Sequence, residues 1–167
     1  SEKIIYLPNT FMVNDFTKKI SKKIFSKEEL GLPKEGFVFC SFNDYYKITP
    51  VIFNIWMKLL QKVKNSVLWL AERNSTAIKN LKVEASKRGV DSNRIIFAKR
   101  TKLLEDHLAR HNNADLFLDT FPYNGHTTAS DALWSGLPLV TLSGKTFASR
   151  VSASLLSSLD LNDLIAS

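Results

Sequence analysis

Residues 114–142 read ADLFLDTFPYNGHTTASDALWSGLPLVTL. The run DLFLDT (115–120) is apolar and of strand length, and PLVTL (138–142) is a second such run. Between them lie a loop with Pro122, Asn124 and Gly125, and then a short amphipathic segment, TTASDALWSG (127–136), that reads as a helix. Strand, helix and strand within so few residues is the spacing of a βαβ crossover, whose two strands lie parallel.

The same alternation extends upstream. FVFCSF (37–42), SVLWLA (66–71) and RIIFA (94–98) read as strands. The stretches at 50–63, 75–89 and 103–113 read as helices, and 147–159 as a final one. In the first of these Ile52, Trp56, Leu59, Leu60 and Val63 share one helical face, with Pro50 in the opening turn. Gly89 ends the second. None of the five strands alternates between apolar and polar, as expected where both faces are buried. The predicted fold class is therefore α/β, a Rossmann-like parallel sheet with helices on both faces. In such open sheets ligands sit beyond the carboxyl ends of the strands. That directs attention to the loops at 43–49, 72–75, 98–103, 120–128 and 142–148.

Residues 1–34 differ from the rest. KIIYLPNTFMVND suggests a short strand and a turn, and Ser26-Lys-Glu-Glu29 a capping box opening a helix of one or two turns, stopped by Gly31 and Pro33. This part is expected to be a connecting segment, with one lobe over residues 35–167. The start at Ser1 instead of Met is what a piece of a longer protein would show.

Composition narrows the function. Hydrophobic residues make up 44% and charged residues 23% of 167, an ordinary globular balance. No apolar run approaches the ~20 residues of a membrane span, and the start lacks the pattern of a signal peptide. The one cysteine, Cys40, sits in an apolar run and reads as a buried small residue in a reducing, cytoplasmic setting. The net charge of +7 is spread along the chain without interleaved aromatic residues. Nucleic acid is accordingly not expected as a partner.

Three sets of residues could carry chemistry. His126-Thr127-Thr128 falls where a strand gives way to a helix, and a helix N-terminus offers free N–H donors and a positive dipole end to a phosphate. A plainer reading is capping: Thr128-Ala-Ser-Asp131 has the form of a capping box, which leaves His126 unexplained. Lys47 stands just before a helix start, ill-placed for the dipole unless an anion is near. Beside it Asn43, Asp44 and Tyr45 could meet a sugar or base, or form the turn. His107 and Arg110 share a helical face; His111, one turn on from His107, admits a metal pair, though a solvent-facing helix is the expected reading. No P-loop and no dinucleotide-binding glycine fingerprint is present.

Taken together, ELGLPKEGFVFCSFNDYYKITP, NSVLWLAERN, NGHTTASDALW and GKTFASRVSASLL resemble the O-GlcNAc transferase and Spindly-like family, over nearly the whole chain. More narrowly, the chain is similar to the C-terminal lobe of that family's GT-B catalytic region. The resemblance implies transfer of a sugar from a nucleotide sugar to Ser or Thr of proteins, without a metal or other cofactor. UDP-GlcNAc is the expected donor and GDP-fucose the alternative; a non-catalytic domain of the same fold is a further one. By position, Lys47 is implied to neutralise the β-phosphate of the leaving nucleotide. His126, Thr127 and Thr128 are implied to hold the diphosphate, Asp131 the ribose, and His107 and Arg110 the base. Asp44 stands where animal members have Gln. The loop AKRTKLLED is slightly longer than the family's, so no role passes to Lys102. An N-terminal lobe and tetratricopeptide repeats, which would meet the acceptor protein, are not within these residues, and the fragment by itself is expected to be inactive.

Overall fold

Six consecutive buried side chains, Ser66–Ala71, form strand β2. That is the burial of a central strand covered on both faces, and it is why its sequence shows no polar alternation. The computed structural model describes residues 3 and 5–166; Ser1, Glu2, Ile4 and Ser167 lie outside the described residues. Strand β1 spans Phe37–Ser41, β3 Ile95–Ala98, β4 Leu116–Leu118, β5 Leu139–Leu142 and β6 Ile165–Ala166. The helices are α1 (Pro50–Lys62), α2 (Ser75–Lys87), α3 (Leu104–Ala109), α4 (Thr127–Trp134) and α5 (Val151–Ser157). All six strands run parallel, in the order β3-β2-β1-β4-β5-β6. The chain thus winds outward from β1 to β3, returns to the other side of β1, and winds outward again. The reversal falls between β1 and β4.

The pleat divides the core into two layers. Val38 and Cys40 of β1 and Val67, Trp69 and Ala71 of β2 face one layer with Ala129 and Ala132 of α4 and Leu155 and Leu156 of α5. Phe39, Leu68 and Leu70 face the other, where α1 brings Ile52, Phe53, Trp56, Met57 and Leu60. Burying each such side chain stabilises the fold by roughly 1.5–3 kcal/mol. Thr49 caps α1, its hydroxyl accepting from the Ile52 N–H. Cys40 has no exposure, and burial pushes its thiol well above the usual range, which makes it a packing residue.

Three expectations are corrected here. Among the described residues of 3–13 there is no strand; this part of the chain is held against α4 and the end of α5 by serine hydroxyls instead. Ser158 Oγ donates to the Asn9 carbonyl, and Ser130 of α4 donates to Asn14 Oδ1. The box at Ser26 does form, with Glu29 N–H on Ser26 Oγ (3.1 Å) and Ser26 N–H on Glu29 Oε2 (2.9 Å). It closes a single turn that Gly31 ends at φ +69°, and no helix follows. Lastly, β6 pairs with Thr141 and Leu142 of β5 and extends the sheet by a strand too short to show a pattern in sequence. Among the described residues no helix is long and apolar enough to cross a membrane.

Candidate functional site

In a doubly wound sheet the loops leaving the two strands at the reversal point diverge and open a crevice. Here these are the loops after β1 and β4. The first turns through a short 3₁₀ segment, Tyr45–Lys47, which delivers Lys47 back over the sheet edge. The second runs from Asp119 to His126, the N-cap of α4.

Asp119 organises that second loop. Its Oδ1 accepts from the N–H groups of Gly125 (2.6 Å) and Thr120 (2.8 Å) and from Asn43 Nδ2 (3.2 Å), while Oδ2 accepts from Thr141 Oγ1 (2.7 Å). Burial pushes its carboxyl pKa up, and the donors pull it back. Asn43 spans the crevice: it donates to Asp119 and Thr120 and accepts from Thr128 Oγ1. A Cβ on Gly125 would lie 2.8 Å from Thr128 Oγ1 and 3.0 Å from Asn43 Oδ1. Only glycine lets the loop pass this close to the first turn of α4.

Lys47 reaches across this scaffold. Its Nζ donates to the carbonyl of Asn124, 77 residues away, at 2.9 Å, and lies 3.9 Å from the centre of the Tyr123 ring. The side chain is 9% exposed, and desolvation lowers its pKa. His126 is next to it, its ring 5.2 Å from Tyr123, 6.0 Å from Phe11 and 6.2 Å from Phe147. Its Nε2 is buried with no hydrogen-bond partner. Burial, followed by the Lys47 charge, holds His126 below the ordinary imidazole range. It is therefore a neutral group.

Beside this shelf, over the ends of β1, β2 and β3, lies a cavity of about 370 Å³. Phe42, Arg73, Lys102, His107, Arg110 and Thr128 contribute to its walls. Arg110 is 4% exposed and stacks on Phe42 at 4.6 Å. It donates to the Lys99 carbonyl (2.6 Å) and to His107 Nδ1 (2.6 Å), leaving Nε unpartnered. Desolvation lowers the Arg110 pKa to about 10 and, with the Arg110 charge, that of His107 to about 3. His107 is thus a neutral acceptor at Nδ1, its proton on Nε2.

Several expectations need correction at this point. The segment carrying His107 and His111 does not face solvent: His111 is 1% exposed, and its Nδ1–H donates to the His107 carbonyl at 2.9 Å. Among the described residues no group of three or more His, Cys, Asp and Glu is placed to hold an ion. Thr128 and Asp131 do not form a capping box, because the cap of α4 is His126, two residues before Thr128. Asp131 is 6% exposed and ion-paired with Lys18 at 2.7 Å, an N-terminal lysine that no sequence signal linked to it. Asp44, instead of standing free, pairs with Arg73 at 2.9 Å on the cavity rim. Thr127 is exposed. The structure therefore brings Lys47 beside His126, and Thr128 beside His107 and Arg110. Sequence reasoning missed Asp119, Tyr123, Asn124 and Arg73. A charged residue closing the apolar run FLDT was the available sign for Asp119.

A doubly wound parallel sheet with a basic crevice at its reversal point and a pocket beside it defines a Rossmann-like α/β lobe. Residues 19–167 match glycosyl transferase family 41, and the chain belongs to that family. It is 37% identical over 160 residues to the probable UDP-N-acetylglucosamine–peptide N-acetylglucosaminyltransferase SEC of Arabidopsis thaliana, covering 93% of this chain and 16% of that one. Identity is 39% over 141 residues to the Caenorhabditis elegans UDP-N-acetylglucosamine–peptide N-acetylglucosaminyltransferase, covering 84% and 12%. Among solved structures, a mutant of the Thermobaculum terrenum O-GlcNAc transferase superposes with a TM-score of 0.74 at 34% identity, over 78% of this chain and 26% of that chain. The chain thus spans a small part of the relatives it matches.

Proposed function

We propose that this chain is the nucleotide-sugar lobe of a protein O-GlcNAc transferase, binding UDP-GlcNAc for transfer to Ser or Thr of an acceptor protein that other parts of the protein contact. The observation that carries the reading is the meeting of Lys47 and His126 at the sheet's reversal point, beside a cavity walled by Arg73, Lys102, His107 and Arg110.

In this reading Lys47 stabilises the negative charge that grows on the β-phosphate as the sugar departs. A fixed cation in a water-poor site does this well, and it supplies what a metal ion does elsewhere. The N–H groups opening α4 add the positive end of a helix dipole. Neutral His126 donates one N–H without adding charge, and Thr127 and Thr128 offer hydroxyls. The reading assigns the base to the cavity, where His107 Nε2–H is a donor. For Asp131 to hold the ribose, as the resemblance implies, it must exchange its bond to Lys18. A cytoplasmic setting fits the reduced Cys40.

The test is titration of the chain with UDP and GDP, by calorimetry or NMR, at two salt concentrations. The expected result is preference for UDP, weakened about tenfold or more in Lys47→Ala and in His126→Ala with the fold intact. Preference for GDP would transfer the proposal to a fucosyl donor. UDP affinity unchanged in both variants would refute the site.

A further inference from the structure

Lys47 combines two properties that rarely coexist. It is nearly buried, yet among the described residues no carboxylate lies within ion-pairing distance of its ammonium. Its neighbours are a carbonyl, Asn124 O at 2.9 Å, and an aromatic face, Tyr123 at 3.9 Å. Both come from adjacent residues of one loop, and that loop is braced. Thr120 Oγ1 donates to the Tyr123 carbonyl at 2.6 Å, and Asn124 Nδ2 to the Thr120 carbonyl at 2.9 Å.

We propose that Tyr123 is a positioning residue for Lys47, holding the ammonium by its ring face so that the charge is fixed without being neutralised. This rests on the nucleotide-binding reading above. A carboxylate in the same place would hold the ammonium more strongly, but it would also compete with a phosphate for it. The quadrupole of an aromatic ring attracts a cation while carrying no net charge. The carbonyl takes one ammonium N–H and the ring face another, so that a donor and the full positive charge remain for an incoming anion. The ring does a second thing: it takes water's place around Lys47, which strengthens any later contact with a phosphate. Tyr46, 6.0 Å from Tyr123 and exposed, forms the outer wall of this aromatic patch.

The experiment is a double-mutant cycle on this chain, with UDP as the probe, joined to a ligand-free NMR measurement. Tyr123→Leu is expected to weaken UDP binding about three- to tenfold, and Tyr123→Phe, which keeps the ring, to restore it. In the Lys47→Met background Tyr123→Leu is expected to have no further effect. In the free protein the Lys47 Hε resonances are expected upfield, displaced by the ring current, in wild type and Tyr123→Phe but not in Tyr123→Leu. An equal loss from Tyr123→Leu with and without Lys47 would show that Tyr123 acts on the ligand itself and would overturn the proposal. Undisplaced Hε resonances in the wild type would overturn it whatever the titration gives. If the resonances are displaced while Lys47→Met leaves UDP affinity unchanged, the positioning contact stands and the nucleotide reading fails.

Discussion

Acidification from pH 7.5 to 5.0 should cost this fold about 4 kcal/mol through two histidines. His107 and His111 are buried as neutral rings, with pKa values of about 3 and about 4, against roughly 6.5 in an unfolded chain. Because the folded values are lower, the unfolded state binds more protons, and stability present above about pH 6.5 is lost as pH falls toward the folded values. At pH 5.0 the unfolded rings are largely protonated while the folded ones are not, about 2 kcal/mol each. Against a total of roughly 5–15 kcal/mol this is a large fraction. His126, also lowered by burial, adds in the same direction. Asp119 opposes it: its raised carboxyl favours the fold at low pH, an effect lost as pH rises. Comparison with a variant isolates the histidine part. His111→Asn keeps an N–H near the position that bonds the His107 carbonyl at 2.9 Å, but removes the titration. Urea denaturation at both pH values, followed by circular dichroism, should show the loss shrink by about 2 kcal/mol in the variant. Equal losses would show that His111 is not held neutral by the fold, and the account of this side of the cavity would fail with it.

Asp119→Ala should destabilise by about 3–5 kcal/mol in urea melts, because it strands two buried N–H groups, the Asn43 amide and the Thr141 hydroxyl; a loss under 1 kcal/mol would mean that water replaces the carboxylate. Gly125→Ala should cost about 1–3 kcal/mol and displace Thr128 from Asn43, seen as shifted Asn43 side-chain amide resonances, since the new Cβ meets the Thr128 hydroxyl at 2.8 Å. Lys18→Met should loosen residues 9–18, which cross α4 and α5 and end in the 2.7 Å pair with Asp131. Amide exchange there should quicken while β1 and β2 keep their protection, and unchanged exchange would show the pair to be dispensable.

The sheet was legible because its signal is local. A strand buried on both faces must be apolar throughout, and five such runs separated by helix-length segments admit few arrangements besides a parallel sheet. The strand order was not legible, since nothing in β1 or β4 says that they pair; yet that order turns a row of loops into a crevice. The site divides in the same way. His126 and Lys47 drew notice because each sits oddly in its own stretch. Tyr123, Asn124 and Asp119 did not, because their contacts with Lys47 and Asn43 span 76 or 77 residues of chain. His111 misled for a related reason: two histidines a turn apart say nothing about burial, which is set by the Phe42 ring 5.1 Å away.

The charge distribution ties the two halves of the crevice together. A folded domain gains most by pairing its buried cations, because an unpaired one loses hydration without return. At the carboxyl edge of this sheet Lys47 is held by a carbonyl and a ring, and Arg110 by a carbonyl, a neutral imidazole and a ring. Neither has an ion-pair partner among the described residues, although the same fold supplies carboxylates to Lys18, Arg73, Lys87 and Arg88. A nearby carboxylate, Asp119, accepts from four donors, two in its own loop and one each from Asn43 and Thr141, and makes no ion pair with Lys47. An anion that met both cations would recover the stability given up by leaving them unmatched, because a ligand that binds only the folded state adds its binding free energy to folding. On the reading proposed above, a nucleotide suits that need better than a lone phosphate, since its diphosphate and its base offer two separate groups to the Lys47 shelf and to the cavity that Arg110 lines.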